Sequence, residues 1–426
     1  MNSNDSLYQA YIAILKEELI PAMGCTEPIA LAYASSIARR VLGDNPTSVR
    51  IQASGSIIKN VKSVIVPNTH HLKGMSAAAA SGIIAGDPDK KLEVISEVCE
   101  EKKCEIEEYL QKTEFTEEFL EDGHVFDLII TLRKEDHESR VRITDTHTNI
   151  VLVEKDGNVL FEKKTEEKSA PVKTDRSLLN MKDIYDFAET VRMEDVQEIL
   201  NRQISYNTAI SEEGLKNDYG ANIGKVIMHY QDGSVRTRAK ARAAAASDAR
   251  MNGCELPVVI NSGSGNQGIT CSLPVIEYAE SYHVQKDKLY RALVISNLTA
   301  IHEKTGIGTL SAFCGAVSAG AGAGAGIAYL MGCDLDGISH TVVNALAISS
   351  GIVCDGAKAS CAAKISAGVD AGIFGYEMYR DHQQFYGGDG IVVKGIENTI
   401  HNIGRLGNDG MKETNNEIIR MMIEKN

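Results

Sequence analysis

Residues 125–161, VFDLIITLRKEDHESRVRITDTHTNIVLVEKDGNVLF, decide the fold class of this chain. Four short runs within this stretch are rich in Val, Ile, Leu, Phe and Thr and are separated by polar or turn residues, which is typical of β-strands. These runs are 125–132, 139–144, 148–154 and 158–161. Asp156-Gly157, between the last two runs, is typical of a two-residue hairpin turn. The sequence therefore predicts an antiparallel sheet in the first half of the chain.

The residues before this sheet change their period several times. Apolar residues at helical spacing predict two helices near the start, followed by one strand and two further helices. The predicted segments are helices 7–20 and 28–42, strand 48–53, and helices 75–84 and 92–111. Gly43 follows the second helix at a position where glycine commonly ends one.

The second half of the chain is predicted to be largely helical. A polar, proline-containing stretch, 163–177, reads as a linker. Long Ala-rich or apolar segments follow it at 240–251, 289–301, 311–331 and 337–352. We therefore predict an α+β protein: a mainly helical domain formed by 1–45 and 175–426, and an inserted α+β domain, 46–174, that contains the antiparallel sheet and ends in the linker.

The composition of the chain excludes several classes of function. The chain has 426 residues, with 44 Lys and Arg against 58 Asp and Glu, and a net charge of −14. Nucleic acids and anionic membranes require a basic face, so neither is an expected partner. The uncharged runs 305–333 and 337–354 are long enough to span a bilayer, but the first is dominated by Gly, Ala, Ser and Thr. A pair of buried helices in a small-molecule enzyme is the better interpretation.

Four glycines alternate with alanine inside one of the predicted helices. They are Gly320, Gly322, Gly324 and Gly326. Each costs a helix about 1 kcal/mol relative to alanine. Glycine is expected at these positions if the backbone of another segment packs very close to the helix. The alternative is that this segment is a loop and not a helix.

The nine cysteines are odd in number and irregularly spaced, and residues 1–7 lack the pattern of a signal peptide. This usage predicts a reduced, cytoplasmic protein, in which clustered cysteines bind metals or act in catalysis. Cys314, Cys354 and Cys361 follow the spacing C-x39-C-x6-C in segments of small residues. Three converging thiolates would form a soft metal site with one open position, for an iron–sulfur cluster or for zinc. The alternative is that they are buried apolar residues.

Cys25 precedes Thr26, Glu27 and Pro28, which are typical of the start of a helix. A thiol just outside the positive end of a helix dipole is expected to have a lowered pKa. It could act as a nucleophile, a general base or a metal ligand. A buried thiol beside a helix cap is equally compatible with the pattern.

Residues 263–268, GSGNQG, fit the G-x-G-x-x-G pattern of dinucleotide-binding loops. The context is poor, because Pro274 should interrupt the helix that this pattern needs and no βαβ unit surrounds it. We expect instead a loop that binds a small carboxylate, or else an ordinary turn. The candidate binding residues are Asn261, Ser262, Ser264, Asn266 and Gln267. Lys358, near Asp355 and Lys364, is a further candidate for binding a substrate anion.

Four segments together resemble the L-cysteine desulfidase family, which is distantly similar to the iron–sulfur L-serine dehydratases. They are 23–30 (MGCTEPIA), 262–268 (SGSGNQG), 310–317 (LSAFCGAV) and 350–361 (SGIVCDGAKASC). The resemblance runs essentially from end to end, and the last segment is the most specific.

The resemblance implies a 4Fe-4S enzyme, independent of pyridoxal phosphate, that converts L-cysteine to pyruvate, ammonia and hydrogen sulfide in its helical domain. It makes Cys314, Cys354 and Cys361 the cluster ligands and Cys25 the proton acceptor, although Cys25 could also complete the cluster in the resting state. L-Serine dehydration is the nearest alternative, followed by a nicotinamide-dependent dehydrogenase and an iron–sulfur redox sensor. A homodimer is compatible with the sequence, which does not fix the oligomeric state.

Overall fold

The computed structural model describes residues 1–120, 124–163, 173–308 and 311–423. The α-helices are α1 (Ser6–Glu18), α2 (Thr26–Leu42), α3 (Gly55–Val61), α4 (Gly74–Ala85), α5 (Glu100–Lys112), α6 (Met181–Thr190), α7 (Met193–Lys216), α8 (Ile223–Tyr230), α9 (Val235–Met251), α10 (Gly265–Ser281), α11 (Lys286–Ile307), α12 (Gly315–Leu330), α13 (Leu335–Ser349), α14 (Cys361–Arg380), α15 (Ile396–Arg405) and α16 (Lys412–Ile423). The strands are β1 (Pro21–Met23), β2 (Ser48–Ser54), β3 (Glu114–Leu120), β4 (Asp127–Lys134), β5 (His137–Thr144), β6 (Ile150–Lys155), β7 (Asn158–Glu162) and β8 (Pro257–Val259). The predicted linker lies largely outside the described residues.

The main sheet has the strand order β3-β2-β4-β5-β6-β7. The strands from β4 to β7 form an antiparallel meander, and β2 joins it antiparallel to β4. The prediction of an antiparallel sheet was incomplete, because β3 pairs with β2 in parallel. The sequence of β3, EFTEEFL, is acidic and follows a charged helix, which hid its alternating pattern. The fold class, α+β and mainly helical, is confirmed.

The hairpin predicted at Asp156-Gly157 connects β6 to β7. Both residues have positive φ, +50° and +75°, as a type I′ turn requires. The helix predicted over 92–111 is shorter than expected. A 3-10 turn at Pro88–Glu93 ends before it, and α5 begins only at Glu100.

The buried apolar residues form two large cores. One lies between the main sheet and the helices α2 and α4, with Ile51 and Ile130 from the sheet and Leu31 from α2. The other is helical and includes residues of α1, α7 and α10 to α14. In packing, α2 therefore belongs with the sheet and α1 with the helices, although the sequence placed both in one domain.

The Gly-Ala segment is a helix, α12, at the centre of the helical core. A Cβ on Gly320 would lie 2.2 Å from the carbonyl oxygen of Gly368, and one on Gly324 would lie 2.6 Å from that of Gly372. Both contacts are with α14. The expectation that these glycines allow another backbone to pack closely is confirmed.

Gly320→Ala is expected to destabilise the protein by about 1–3 kcal/mol, because the added methyl group must push α14 away from α12. The control is Gly306→Ala, also in a helix, where the nearest atom to a new Cβ lies 3.1 Å away. Urea unfolding followed by circular dichroism should give a clearly smaller loss for the control. Equal losses in the two variants would contradict this packing account.

The two long uncharged runs form α12 and α13, most of whose residues are buried in the helical core. Among the helices that the structure describes, none combines the length and the apolar composition needed to cross a bilayer.

Candidate functional site

A cavity of about 140 Å³ is lined by residues from both parts of the molecule. The sheet side contributes α2, α3 and the loop between β5 and β6, and the helical side contributes α9 to α12 and the start of α14. Four cysteines line it: Cys25, Cys314, Cys354 and Cys361. We call this space the thiol cavity. The structure thus brings together residues that are up to 336 positions apart in the sequence.

A wider groove of about 730 Å³ lies at the molecular surface near the C-terminal end of α12. Cys333, Tyr376 and Arg380 are among its lining residues. Cys333 is its only cysteine among the described residues, so this groove does not reproduce the thiol cluster. The smaller thiol cavity is therefore the candidate site.

Four helices begin at the thiol cavity. Cys25, Ser264 and Cys314 are the N-cap residues of α2, α10 and α12, and Cys361 is the first residue of α14. The first turn of a helix has backbone N–H groups without intrahelical acceptors and carries the positive end of the helix dipole. Four such ends favour anionic groups in the cavity, such as thiolates or a carboxylate.

A short backbone pairing holds two of the thiols side by side. Phe313 and Val353 form an isolated antiparallel bridge. Next to it, the Cys314 N–H donates to the carbonyl of Ile352 at 3.2 Å, and the Cys354 N–H donates to that of Ala312 at 2.6 Å. This bridge explains how a spacing of 39 residues can produce neighbouring ligands.

The thiols on the helical side influence each other's ionisation. Burial and, to a lesser extent, the charges of Cys354 and Cys361 together raise the pKa of Cys314 to about 12. Burial also raises the pKa of Cys361, to which the charge of Cys354 adds. Metal binding at Cys314 and Cys361 would therefore release protons.

Lysine ammonium groups lie beside these thiols. Lys59, only 1% exposed, donates to the carbonyl of Cys354 at 3.3 Å and to Oδ1 of Asn415 at 2.7 Å. Lys304 also lines the cavity. Burial lowers the pKa of both, but the nearby charge of Cys354 opposes this. Lys364 donates to the carbonyl of Val353 at 2.8 Å and forms an ion pair with Asp355. The surroundings of the thiols are thus strongly cationic.

Cys25 comes from the sheet side of the cavity, lies against a buried carboxylate, and shares a small apolar cluster with Cys361. Its Sγ donates to Oε2 of Glu27 at 3.0 Å, and the Asn60 amide donates to the other oxygen, Oε1, at 3.0 Å. Although burial alone would raise the pKa of Glu27, interactions with His147 and Cys25 lower it to about 2. Glu27 is therefore ionised.

The expected lowering of the Cys25 pKa was wrong. Cys25 does cap a helix, but burial raises the pKa of its thiol well above the usual value, and the charge of Glu27 adds to this. Arg250 acts in the opposite direction but does not reverse the result. The resting group is a thiol, not a thiolate.

The profile of the serine dehydratase alpha chain family matches residues 89–420. The chain belongs to this family. Cys314, Cys354 and Cys361 lie within the matched residues, and Cys25 precedes them. The serine dehydratase alpha chain family points to a lyase of the serine dehydratase type and implies an iron–sulfur cluster.

Several relatives are similar to this chain over nearly the whole length of both sequences. A "UPF0597 protein" of Desulfitobacterium hafniense is 57% identical over 425 residues, which cover 100% of this chain and 99% of the relative. One from Lachnoclostridium phytofermentans is 50% identical, covering 98% of this chain and 100% of the relative. One from Treponema denticola is 46% identical over the whole of both chains. The similarity therefore includes the region before residue 89.

The loop before α10 contains most of the predicted binding residues. Ser262, Ser264, Asn266 and Gln267 line the thiol cavity. Asn261 does not, because it is fully buried and its amide donates to Oδ1 of Asn297 at 3.0 Å. Helix α10 also runs through Pro274, so our expectation that this proline interrupts it was wrong. Within the described part of the chain, the preceding strand, β8, pairs with β1 alone and in antiparallel fashion, which is not a dinucleotide-binding unit.

Lys358 is also absent from the cavity wall. Its ammonium group donates to the carbonyl of Asp355 at 3.1 Å and forms an ion pair with the Asp355 carboxylate. It therefore stabilises the loop between Cys354 and Cys361 rather than facing the thiols.

Sequence reasoning missed eight polar residues that line the cavity. They are Thr26, Glu27, Lys59, Asn60, His147, Arg250, Lys304 and Ser311. Two gave a usable signal: Lys59 stands in the apolar run of α3, and Arg250 ends an Ala-rich helix. The rule that drew attention to Lys358, that a cation in an apolar segment needs an anion, applies to both. His147 gave no signal in the sequence, because its loop reaches the site only through the packing of the sheet against α2.

Proposed function

We propose that this chain is an iron–sulfur-dependent lyase that converts L-cysteine to pyruvate, ammonia and hydrogen sulfide. The observation that carries the proposal is that Cys25, Cys314, Cys354 and Cys361 all line one cavity. These are the four positions that the resemblance to L-cysteine desulfidases assigns to the cluster and to proton transfer. The membership in the serine dehydratase alpha chain family supports the same elimination chemistry.

The donor set is compatible with a 4Fe-4S cluster held by Cys314, Cys354 and Cys361. Among the described residues, no three His, Cys, Asp or Glu side chains are grouped as they would be around a single metal ion. Each cysteine of a cluster binds a different iron, so its ligands stand farther apart than the ligands of one zinc ion. Thiolate ligands, helix N-termini and nearby ammonium groups are compatible with an anionic cluster here, and the serine dehydratase alpha chain family favours that cluster over zinc.

When bound, a cluster with three cysteine ligands supplies a Lewis acid with one open position. The protein's own contribution is to move the proton. In the proposed reaction Cys25, as a thiolate, accepts the α-proton of L-cysteine, and the electron pair of the Cβ–S bond leaves with sulfur. The product, 2-aminoacrylate, then isomerises and is hydrolysed to pyruvate and ammonia.

The neighbours of Cys25 control the proton that it must lose before it can act as a base. Glu27 accepts the hydrogen bond from the thiol, and Asn60 fixes the orientation of the carboxylate. The His147 imidazole lies 3.9 Å from Oε1 of Glu27 and packs edge-on against Phe126.

Glu27→Gln is expected to shift the pH dependence of the reaction. Because Cys25 must be deprotonated and its pKa is raised, kcat/KM should increase with pH. Removing the negative charge of Glu27 lowers the pKa of Cys25, so the midpoint of this increase should move to lower pH by about one to two units. The pH profile of sulfide release measures it. The wild type is assayed with the same substrate, so the ionisation of L-cysteine itself affects both pH profiles equally. A midpoint in Glu27→Gln that equals or exceeds that of the wild type would contradict the role of Glu27.

The test of the proposed function is product formation under argon. Protein reconstituted with iron and sulfide should release sulfide and pyruvate in equal amounts from L-cysteine. L-Serine, assayed in parallel, should give less pyruvate. Pyruvate from L-serine alone would make the chain a serine dehydratase, and no turnover of either amino acid would contradict the proposal.

A further inference from the structure

Arg250 is a buried guanidinium group without an ionic partner among the described residues. It lies in the last turn of α9, is 3% exposed and lines the thiol cavity. Its Nη1 donates to Oδ1 of Asn266 at 3.1 Å, while its Nε is buried and has no acceptor. An arginine remains charged at any physiological pH, and an isolated buried charge is costly. A bound anion would remove this cost.

The nearest acidic groups do not supply that anion. Asp248, two residues earlier on α9, accepts a hydrogen bond from the Gly224 N–H at 2.9 Å, and burial raises its pKa to about 7. A carboxyl group paired with an arginine would be shifted in the opposite direction. Glu27 lines the same cavity, but its partners are Cys25, Thr26, Asn60 and His147.

A glycine keeps the guanidinium in place. A Cβ on Gly265 would lie 2.2 Å from Nε and 2.6 Å from Cζ of Arg250. The side chain of Arg250 therefore lies directly against the first turn of α10, where glycine alone leaves enough room. This arrangement combines an arginine with the positive end of a helix at one point of the cavity wall.

An acceptor for a cation lies on the same helix turn. Oε1 of Gln267 is buried without a hydrogen-bond partner, and the side chain, 3% exposed, lines the cavity. An α-amino acid carries a carboxylate and an ammonium group on one carbon. Arg250 can donate hydrogen bonds to the carboxylate, and Oε1 of Gln267 can accept one from the ammonium group.

We propose that Arg250 binds the α-carboxylate of the substrate, so that the site accepts only free α-amino acids. This inference rests on the proposed function and adds its substrate class. The planar guanidinium can bind both carboxylate oxygens, which a lysine cannot do in the same geometry. Cysteamine, which has no carboxylate, and L-cysteine amide, in which it is neutral, are then excluded.

The experiment uses the iron–sulfur-loaded protein under argon, with wild type, Arg250→Lys and Gly265→Ala compared. Arg250→Lys should raise the KM for L-cysteine about 10- to 100-fold, the range for losing hydrogen bonds to a charged group. kcat and the cluster absorbance should change little. Gly265→Ala keeps Arg250 in the sequence, but the added methyl group would occupy the space of its guanidinium group and displace it. This variant should therefore raise the KM in the same way. Arg242→Lys is the control, because Arg242 is on the same helix but pairs with Glu277.

Binding without turnover gives a second readout. L-Alanine has no β-leaving group, and L-alaninamide lacks the carboxylate. In calorimetry the wild type should bind L-alanine at least 10-fold more tightly than L-alaninamide. This preference should become clearly smaller in Arg250→Lys, because lysine keeps the positive charge but cannot form the paired hydrogen bonds. Equal binding of the two probes by the wild type, or an unchanged preference in a folded variant, would overturn the assignment.

The two readouts separate this inference from the proposed function. If no amino acid is turned over but the L-alanine preference depends on Arg250, the lyase proposal fails and the carboxylate site stands. If L-cysteine is turned over and both KM and the preference are unaffected by the variants, the site assignment fails and the lyase proposal stands.

Discussion

The Cys354→Ser variant is expected to contain no stable iron–sulfur cluster and to release no detectable sulfide from L-cysteine. Cys354 stands between the other two proposed ligands, beside Cys314 through the backbone bridge and coupled in charge to Cys361. A hydroxyl group is a poor ligand for iron where a thiolate is required. Two cysteines cannot replace three, so the same outcome is expected for Cys314→Ser and Cys361→Ser. Iron analysis and the visible absorbance of anaerobically reconstituted protein measure it.

The matched control is Cys99→Ser, a change at an exposed cysteine outside the cavity. It should keep the iron content and activity of the wild type. A second control addresses folding, because the Cys354→Ser protein should keep its helical circular dichroism spectrum. A full complement of iron in any of the three cavity variants would show that another residue is the ligand.

The Cys25→Ala variant is expected to keep its cluster and lose activity. Removing a general base usually lowers kcat by about 10²- to 10⁴-fold. Cys25 lies at the N-terminus of α2, and its thiol is hydrogen-bonded to Glu27, while Cys361 packs against the same small apolar cluster. Sulfide release gives kcat, and iron analysis shows whether the cluster persists.

Exchange of the α-proton identifies the step that Cys25 performs. In deuterated water the wild type should exchange the α-proton of L-alanine, which cannot undergo elimination, and Cys25→Ala should not. Loss of iron in Cys25→Ala would make Cys25 a cluster ligand instead. Unimpaired exchange in the variant would assign the base to another group.

Local patterns predicted the elements of this fold better than their pairing. The strands β4 to β7 followed from runs of β-branched and other apolar residues, and the type I′ turn at Asp156-Gly157 followed from turn chemistry. The parallel pairing of β3 with β2 did not, because it joins residues 66 positions apart and nothing local encodes it. The packing of α2 on the sheet likewise depends on contacts that appear only in three dimensions.

The thiols of the candidate site were predictable, but the electrostatics around them were not. Residue type and segment composition selected Cys25, Cys314, Cys354 and Cys361. The prediction of a lowered pKa for Cys25 was wrong because it considered only the helix end. Burial and the charge of Glu27 outweigh the effect of the helix and raise the pKa. The position of Arg250 against Gly265 is invisible in the sequence, since 15 residues separate them and α9 and α10 must first pack together.

Mössbauer spectroscopy of the anaerobically reconstituted protein, recorded before and after addition of L-cysteine, tests the central claim most directly. The account predicts about four irons per chain, of which one lacks a cysteine ligand and changes its signal when L-cysteine is added. Four irons that are indifferent to L-cysteine, or a folded protein that binds zinc and releases sulfide without iron, would contradict it.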